Sequence, residues 1–211
     1  MLDIGGSFFA TSANSMKFAN VPIGLQLGRN AGSLLIGGSS LQVNPGRSLA
    51  LIGGNVSIDA GKLVAPAGRV ELGGVAVEGA VGLVANGNSF GLSFPQGVPR
   101  ADVFLTNQAE VNARASDQGS IAINARNLSM ERASKLETGI ASGSGTVDSK
   151  AGNIEISATG TINLNEQSII SNIVQPNAVG NSGDINIKTG SLAVNNGAIE
   201  ASTFGQGNLK I

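Results

Sequence analysis

Glu155 is the side chain whose surroundings come closest to suggesting a reaction. It stands between Ile154 and Ile156, on the outward side of an alternating stretch. Clustered carboxylates with a basic partner on such a face could hold Ca²⁺ and take a proton from a sugar acid, but Ca²⁺ needs six or more oxygens. The positions aligned with Glu155 on neighbouring repeats are Ala122 and Asn186, with Lys210 one repeat further. One carboxylate beside an alanine and an amide supplies too few oxygens, so Glu155 reads as a solvated strand residue.

A second set recurs at fixed positions. Gly119, Gly152, Gly183 and Gly207 each open a short apolar pair, and Asn153, Asp184 and Asn208 follow three of them. The amides and the carboxylate could bind an ion. As turn residues they would instead satisfy local backbone groups, and stacked on successive repeats they would form side-chain ladders. The structural role is the expected one for all seven positions.

Other groupings point away from catalysis. Arg126, Arg132 and Lys135 alternate with Glu131 and Glu137, a mixed set that suits a surface face better than an anion site. Gly73-Gly74 lacks the lysine and helix of a phosphate loop. The chain has no histidine and no cysteine, so Ser–His and Cys–His pairs are impossible. No cofactor or metal is expected, and no enzyme. Lysine plus arginine number 13 against 14 acidic residues. That balance gives no basic face for nucleic acid.

The elements that must position these residues are strands. Gly119-Ser-Ile-Ala-Ile, Gly152-Asn-Ile-Glu-Ile, Gly183-Asp-Ile-Asn-Ile and Gly207-Asn-Leu-Lys-Ile repeat one pattern. Two apolar residues one position apart describe a strand with one buried face. A second pair follows each: Leu128/Met130, Ile162/Leu164 and Leu192/Val194. A third follows that: Leu136 with Ile140, Ile169 with Ile173, Ile199 with Ala201. Three short strands close one triangular coil. The repeat glycines are spaced by 33, 31 and 24 residues. Nearly all the variation falls after the third strand, which places loops at one corner of a solenoid.

The N-terminal half is tighter. Leu34, Leu41, Leu49, Val56, Leu63 and Val70 are spaced 7, 8, 7, 7 and 7 residues apart. Pro45-Gly46, Gly53-Gly54 and Pro66 fall between them and break any helix. Three such strands make a coil of about 22 residues (Leu34 to Val56). Between the two regimes, Asn86-Gly87 flanked by apolar residues signals a hairpin. The organisation read from this is coils over 1–79, a hairpin or loop excursion over 80–100, and longer coils over 101–211. That amounts to about seven or eight coils and a rod on the order of 35–40 Å long.

Several blocks then occur in a telling order: Gly5-Gly-Ser-Phe-Phe-Ala, Val21-Pro-Ile-Gly-Leu-Gln-Leu-Gly, Pro45-Gly-Arg-Ser-Leu-Ala and Leu63-Val-Ala-Pro-Ala-Gly-Arg-Val. The series resembles the large cyanobacterial exoproteins of the filamentous haemagglutinin type. The resemblance spans essentially the whole chain. It implies an all-β fold, a right-handed single-stranded parallel β-helix (pectin-lyase-like) with three short strands per coil. It also implies two-partner secretion: export through an outer-membrane transporter as partner, and a life as an extracellular or surface-bound adhesin with a cell-surface or glycan receptor. The family's Asn-Pro secretion motifs normally precede the Gly-Gly-Ser-Phe block. The chain therefore reads as the rear of a secretion domain plus the first repeats, without a signal peptide of its own. No stretch approaches the roughly 18 apolar residues of a membrane helix. The alternatives are a β-helix enzyme acting on polysaccharide, and a fragment with no independent role.

Overall fold

The computed structural model describes residues 7–10, 24–28, 31–86 and 89–206. The chain is an all-β solenoid, a parallel β-helix whose strands stack in sequence order. Each coil visits three faces. The first face stacks Leu34–Gly37, Val56–Asp59, Val103–Thr106, Leu128–Met130, Thr161–Asn165 and Ser191–Asn195. The second stacks Ser40–Gln42, Lys62–Val64, Glu110–Asn112, Lys135–Ile140, Ile169–Val174 and Ala198–Thr203. The third stacks Ser48–Gly53, Arg69–Gly74, Ser120–Ala125, Ile154–Ala158 and Ile185–Lys188. All these pairings are parallel. One antiparallel strand, Ser7–Ala10, lies along Ser48–Gly53 and takes up the free edge of the third face.

The register follows the apolar alternation. Leu34 pairs with Val56, Val56 with Val103, Val103 with Leu128 and Leu128 with Ile162. Inward side chains therefore stack like on like. Leu49, Val70, Ile121 and Ile154 form one such column and are buried in a single core. The parallel register turns a short sequence alternation into a continuous apolar interior along the rod.

Corners between the first and second faces use left-handed backbone. Asn107 and Gln108, Arg132 and Ala133, and Glu166 and Gln167 all have φ between 51° and 65°. Ala60 and Asn196 occupy the same corner in other coils, also at positive φ. After each corner a small side chain turns inward; Ala109, Ser134 and Ser168 are fully buried there. This corrects one expectation. Ser168 takes the inward place, so the core position in that coil is Ile170, paired with Leu136 and Ile199, while Ile169 and Ile173 face outward.

Two further corrections concern the length of the rod and its variable corner. Among the described residues there are five complete coils and two strands of a sixth, not seven or eight. Six stacked strands at about 4.8 Å span roughly 24 Å. The shortfall arises because residues between Gly74 and Val103 leave the coil path altogether. The corner expected to hold loops instead carries strands in two coils. Gly145–Lys150 pairs in parallel with Val179–Asn181, over a small core of Ile140, Ala151, Val174 and Ala178.

The excursion is a three-stranded antiparallel sheet. Gly79–Asn86 pairs with Ser89–Ser93 on one side and with the distant Gly24–Leu27 on the other. It forms a lid over the outer surface of the third face. Leu27, Ile52, Val75 and Val81 are buried between them, with Leu92, Phe94 and Val98 packed alongside.

Candidate functional site

The lid brings charge, burial and shape together on the outer surface of the third face. Two outward columns run along that face. One reads Ala50, Glu71, Ala122, Glu155, Asn186; the other reads Ile52, Gly73, Asn124, Ser157, Lys188. The lid covers the first two coils of each column, and the rest lines an open cleft of about 680 Å³ beside it. Its wall includes Arg69, Leu92, Asn124, Glu155, Ser157 and Lys188.

The lid edge is Ser89–Ser93, whose outward backbone groups have no strand partner on that side. Side chains of the coils replace that partner. Ser48 Oγ accepts from the Phe90 N–H at 3.1 Å and donates to the Phe90 carbonyl at 3.3 Å. Two residues along, Glu71 Oε1 accepts from the Leu92 N–H at 3.3 Å. A buried strand edge would otherwise leave polar groups unsatisfied, which is costly.

Glu71 is fully buried, and Arg69 serves it. Arg69 Nε donates to Glu71 Oε1 at 2.5 Å, and its other end reaches Glu155 Oε2 at 3.2 Å. Burial pushes the Glu71 carboxyl above its usual range, and the Arg69 guanidinium pulls against that shift. Burial alone would lower Arg69, but the Glu71 and Glu155 carboxylates more than offset it, so its pKa is raised. A guanidinium held between two carboxylates positions them and does not exchange protons near neutral pH. Arg100 completes the site. It lies 5.6 Å over the Phe94 ring and donates to both the Ser157 carbonyl and Ser157 Oγ at 2.9 Å.

Glu155 is therefore half exposed, as a solvated strand residue would be, yet it is ion-paired across the face. Its register neighbours are Ala122 and Asn186. Sequence reading missed Arg69, Glu71 and Arg100. The signal for the first two was present, since they alternate with the inward Val70 and Leu72 and must share the outer side. Nothing in the local pattern revealed that a lid buries that side.

The repeat glycines Gly119, Gly152 and Gly183 form a column at the corner before the third face, and Gly68, which the sequence reading did not include, joins it. An added Cβ would lie 2.0 Å from the Arg47 carbonyl oxygen at Gly68, 1.6 Å from that of Ala113 at Gly119, 2.5 Å from that of Gln118 at Gly152 and 2.3 Å from that of Gly152 at Gly183. Close approach of backbone to backbone excludes a side chain at each. Asn153 Oδ1 accepts from the Asp184 N–H at 2.9 Å, one coil to the next. Gly207 and Asn208 lie outside the described residues.

Three of the mixed charges, Arg126, Arg132 and Glu137, pair between coils, while Glu131 accepts from Ser129 Oγ of its own coil. Arg126 grips Asp102 through Nε at 2.9 Å and Nη2 at 2.5 Å. Arg132 lies 3.7 Å from Glu166, and Glu137 lies 3.7 Å from Arg114. Gly73, next to Gly74, seats an aromatic ring, since an added Cβ would lie 2.4 Å from Phe94 Cζ. Among the described residues no group of three or more acidic side chains is placed to hold a metal, and no helix is long and apolar enough to cross a membrane.

Compared with known proteins, residues 1–123 match the family model described as TPS secretion domain. No curated protein and no solved structure matches.

Proposed function

The chain belongs to the TPS secretion domain family, which its residues 1–123 match, and from that premise we propose that it is a non-catalytic, structural and adhesive segment of an exoprotein of the filamentous haemagglutinin type. Its export partner is an outer-membrane two-partner transporter, and the exported coils act outside the cell or at its surface. The observation that carries this reading is the asymmetry of the rod. The antiparallel strand Ser7–Ala10 and the lid sheet close the edge and outer surface of the first coils. Beyond them the third-face strands Ser120–Ala125, Ile154–Ala158 and Ile185–Lys188 stack in unbroken register. A closed first unit followed by stackable coils suits a secretion module joined to an extensible display surface, since solenoid ends need capping.

The repeat corners support the same reading. Gly119, Gly152 and Gly183, with Asn153 and Asp184, serve the stacking of coils in our proposal, and Gly207 and Asn208 extend that role by sequence. The Arg69 pairing with Glu71 and Glu155 favours positioning over turnover. A receptor, protein or glycan, would meet the flat outer strands or the corner that varies in length, because rigid scaffolds carry specificity on such surfaces.

Export of the full chain behind a signal peptide tests the proposal, in cells with and without a two-partner transporter in the outer membrane. Transporter-dependent appearance in the medium or on the surface is expected. Retention in the periplasm in both strains, or equal release from both, overturns it. Turnover of a polysaccharide by the purified chain, lost on Glu155→Ala, would overturn the non-catalytic part.

A further inference from the structure

The family match ends at residue 123, inside the third-face strand Ser120–Ala125 of the third coil. The contacts around the lid do not end there. Two arginines from the matched region reach across the third coil to the fourth. Arg69, on the second coil, passes Ala122 to reach Glu155. Arg100, at the end of the excursion, holds Ser157, whose register partner on the third coil is Asn124. Glu155 and Ser157 are two residues apart and share the outward side of one strand, because Ile154, Ile156 and Ala158 face the core. Ala122 lies between Glu71 and Glu155, and its methyl group leaves the space that the Arg69 side chain crosses.

Both arginines also hold the lid. Arg69 fixes the Glu71 carboxylate that receives the Leu92 N–H. Arg100 packs on the Phe94 ring, which also rests on the bare backbone of Gly73 and against the apolar cluster under the lid. Each arginine thus has the lid at one end and the fourth coil at the other.

We infer that the strand Ile154–Ala158 of the fourth coil is a positioning element for the lid, so that the folded unit of the secretion domain closes on a coil beyond the family match. The fourth coil completes a clamp with two parallel arms, Glu155–Arg69–Glu71–Leu92 and Ser157–Arg100–Phe94–Gly73. Removing either arm loosens the lid without touching a lid residue or a core residue. The clamp concerns the lid alone and holds whatever transporter exports the rod and whatever the rod binds.

Native-state hydrogen exchange on the full chain tests it, with Glu155→Gln, Arg100→Met and the double variant, and Glu166→Gln as a surface-pair control. The Phe90 and Leu92 amides report the lid; the Ile170 amide reports the coils. Each single variant should speed lid exchange by about two- to fivefold, the range of a partly exposed ion pair for Glu155→Gln and of an exposed cation–π contact for Arg100→Met. The double should exceed either single, with Ile170 and the control unchanged. Lid exchange that stays at the parent rate in both single variants overturns the inference. So does uniform acceleration of lid and coil amides, which would report lost global stability in place of a clamp. A second variant, Ala122→Met, fills the space under Arg69 while leaving every charge in place. It should reproduce the lid effect of Glu155→Gln, and an unaltered lid would count against the Arg69 arm.

Discussion

Phe94 and Gly73 meet as ring and seat. The ring rests on the Gly73 backbone so closely that an added Cβ would stand 2.4 Å from Phe94 Cζ. The lid is therefore registered on the coils by shape as well as by hydrogen bonds. Gly73→Ala should displace the ring and cost about 1–3 kcal/mol, the usual range for overpacking. Urea unfolding measures it. Phe94→Leu in the same chain should recover part of the loss; a double variant no more stable than Gly73→Ala would contradict the contact.

Gly119 and Gly37 make a contrasting pair. At Gly119 a Cβ would sit 1.6 Å from the Ala113 carbonyl oxygen, with no flexible atom to give way. At Gly37 nothing lies within 4 Å and no left-handed φ is needed. Gly119→Ala should cost more than about 3 kcal/mol, at the severe end for single substitutions. Gly37→Ala should be neutral or gain up to about 1 kcal/mol by restricting the unfolded chain. Thermal or denaturant unfolding of the two variants side by side reads the difference.

Asn172 is fully buried and occupies an inward position of the second face. Its amide donates to the Gly152 carbonyl at 2.9 Å and its oxygen accepts from the Gly183 N–H at 3.3 Å. It ties the second face to the corner where the fourth and fifth coils enter the third. Asn172→Leu should cost about 1–3 kcal/mol, because the buried Gly183 N–H and the half-buried Gly152 carbonyl lose their partner. Faster exchange of the Gly183 amide would locate the damage, and a fully stable variant would show that the bonds are dispensable.

Acid should act on two carboxyls in opposite directions. Burial raises the folded pKa of Glu71 above its ordinary 4.5. Its contribution is therefore fully present below that value and is lost as pH rises through the folded pKa. The Arg126 guanidinium, with Asn127, holds Asp102 below its ordinary 3.8. That contribution is present above 3.8 and is lost as pH falls through the folded pKa. The stability of the parent chain relative to Glu71→Gln should therefore rise as pH drops towards 4.5. Relative to Asp102→Asn it should fall as pH drops below 3.8. Urea midpoints across that range give both slopes, and slopes of equal sign would refute the assignment.

The coil itself was legible in the sequence. Leu34 and Val56 are 22 residues apart and pair directly, because alternation with one buried side fixes register. The same alternation placed Ala122 and Asn186 beside Glu155. It failed at Ile169 because Ile169 and Ile170 are both apolar, so alternation alone allowed either phase; the buried Ser168 marks the phase in which Ile170 points inward. The ionic site was hidden for a different reason. Arg69 and Glu155 are 86 residues apart and two coils apart, so only the length of the arginine side chain joins them. The lid's third strand, Gly24–Leu27, pairs across more than fifty residues of chain, a distance that no local pattern encodes.

The left-handed corners make the rod a graduated scale. Asn107, Arg132 and Glu166 recur at one corner, one per coil, with their backbone held in the same unusual conformation. A probe attached at any of them would therefore fall on a single line, advanced by about 4.8 Å for each coil chosen. Chain position is converted there into distance in even steps, so coils could be added or removed whole while every remaining mark kept its place on the line.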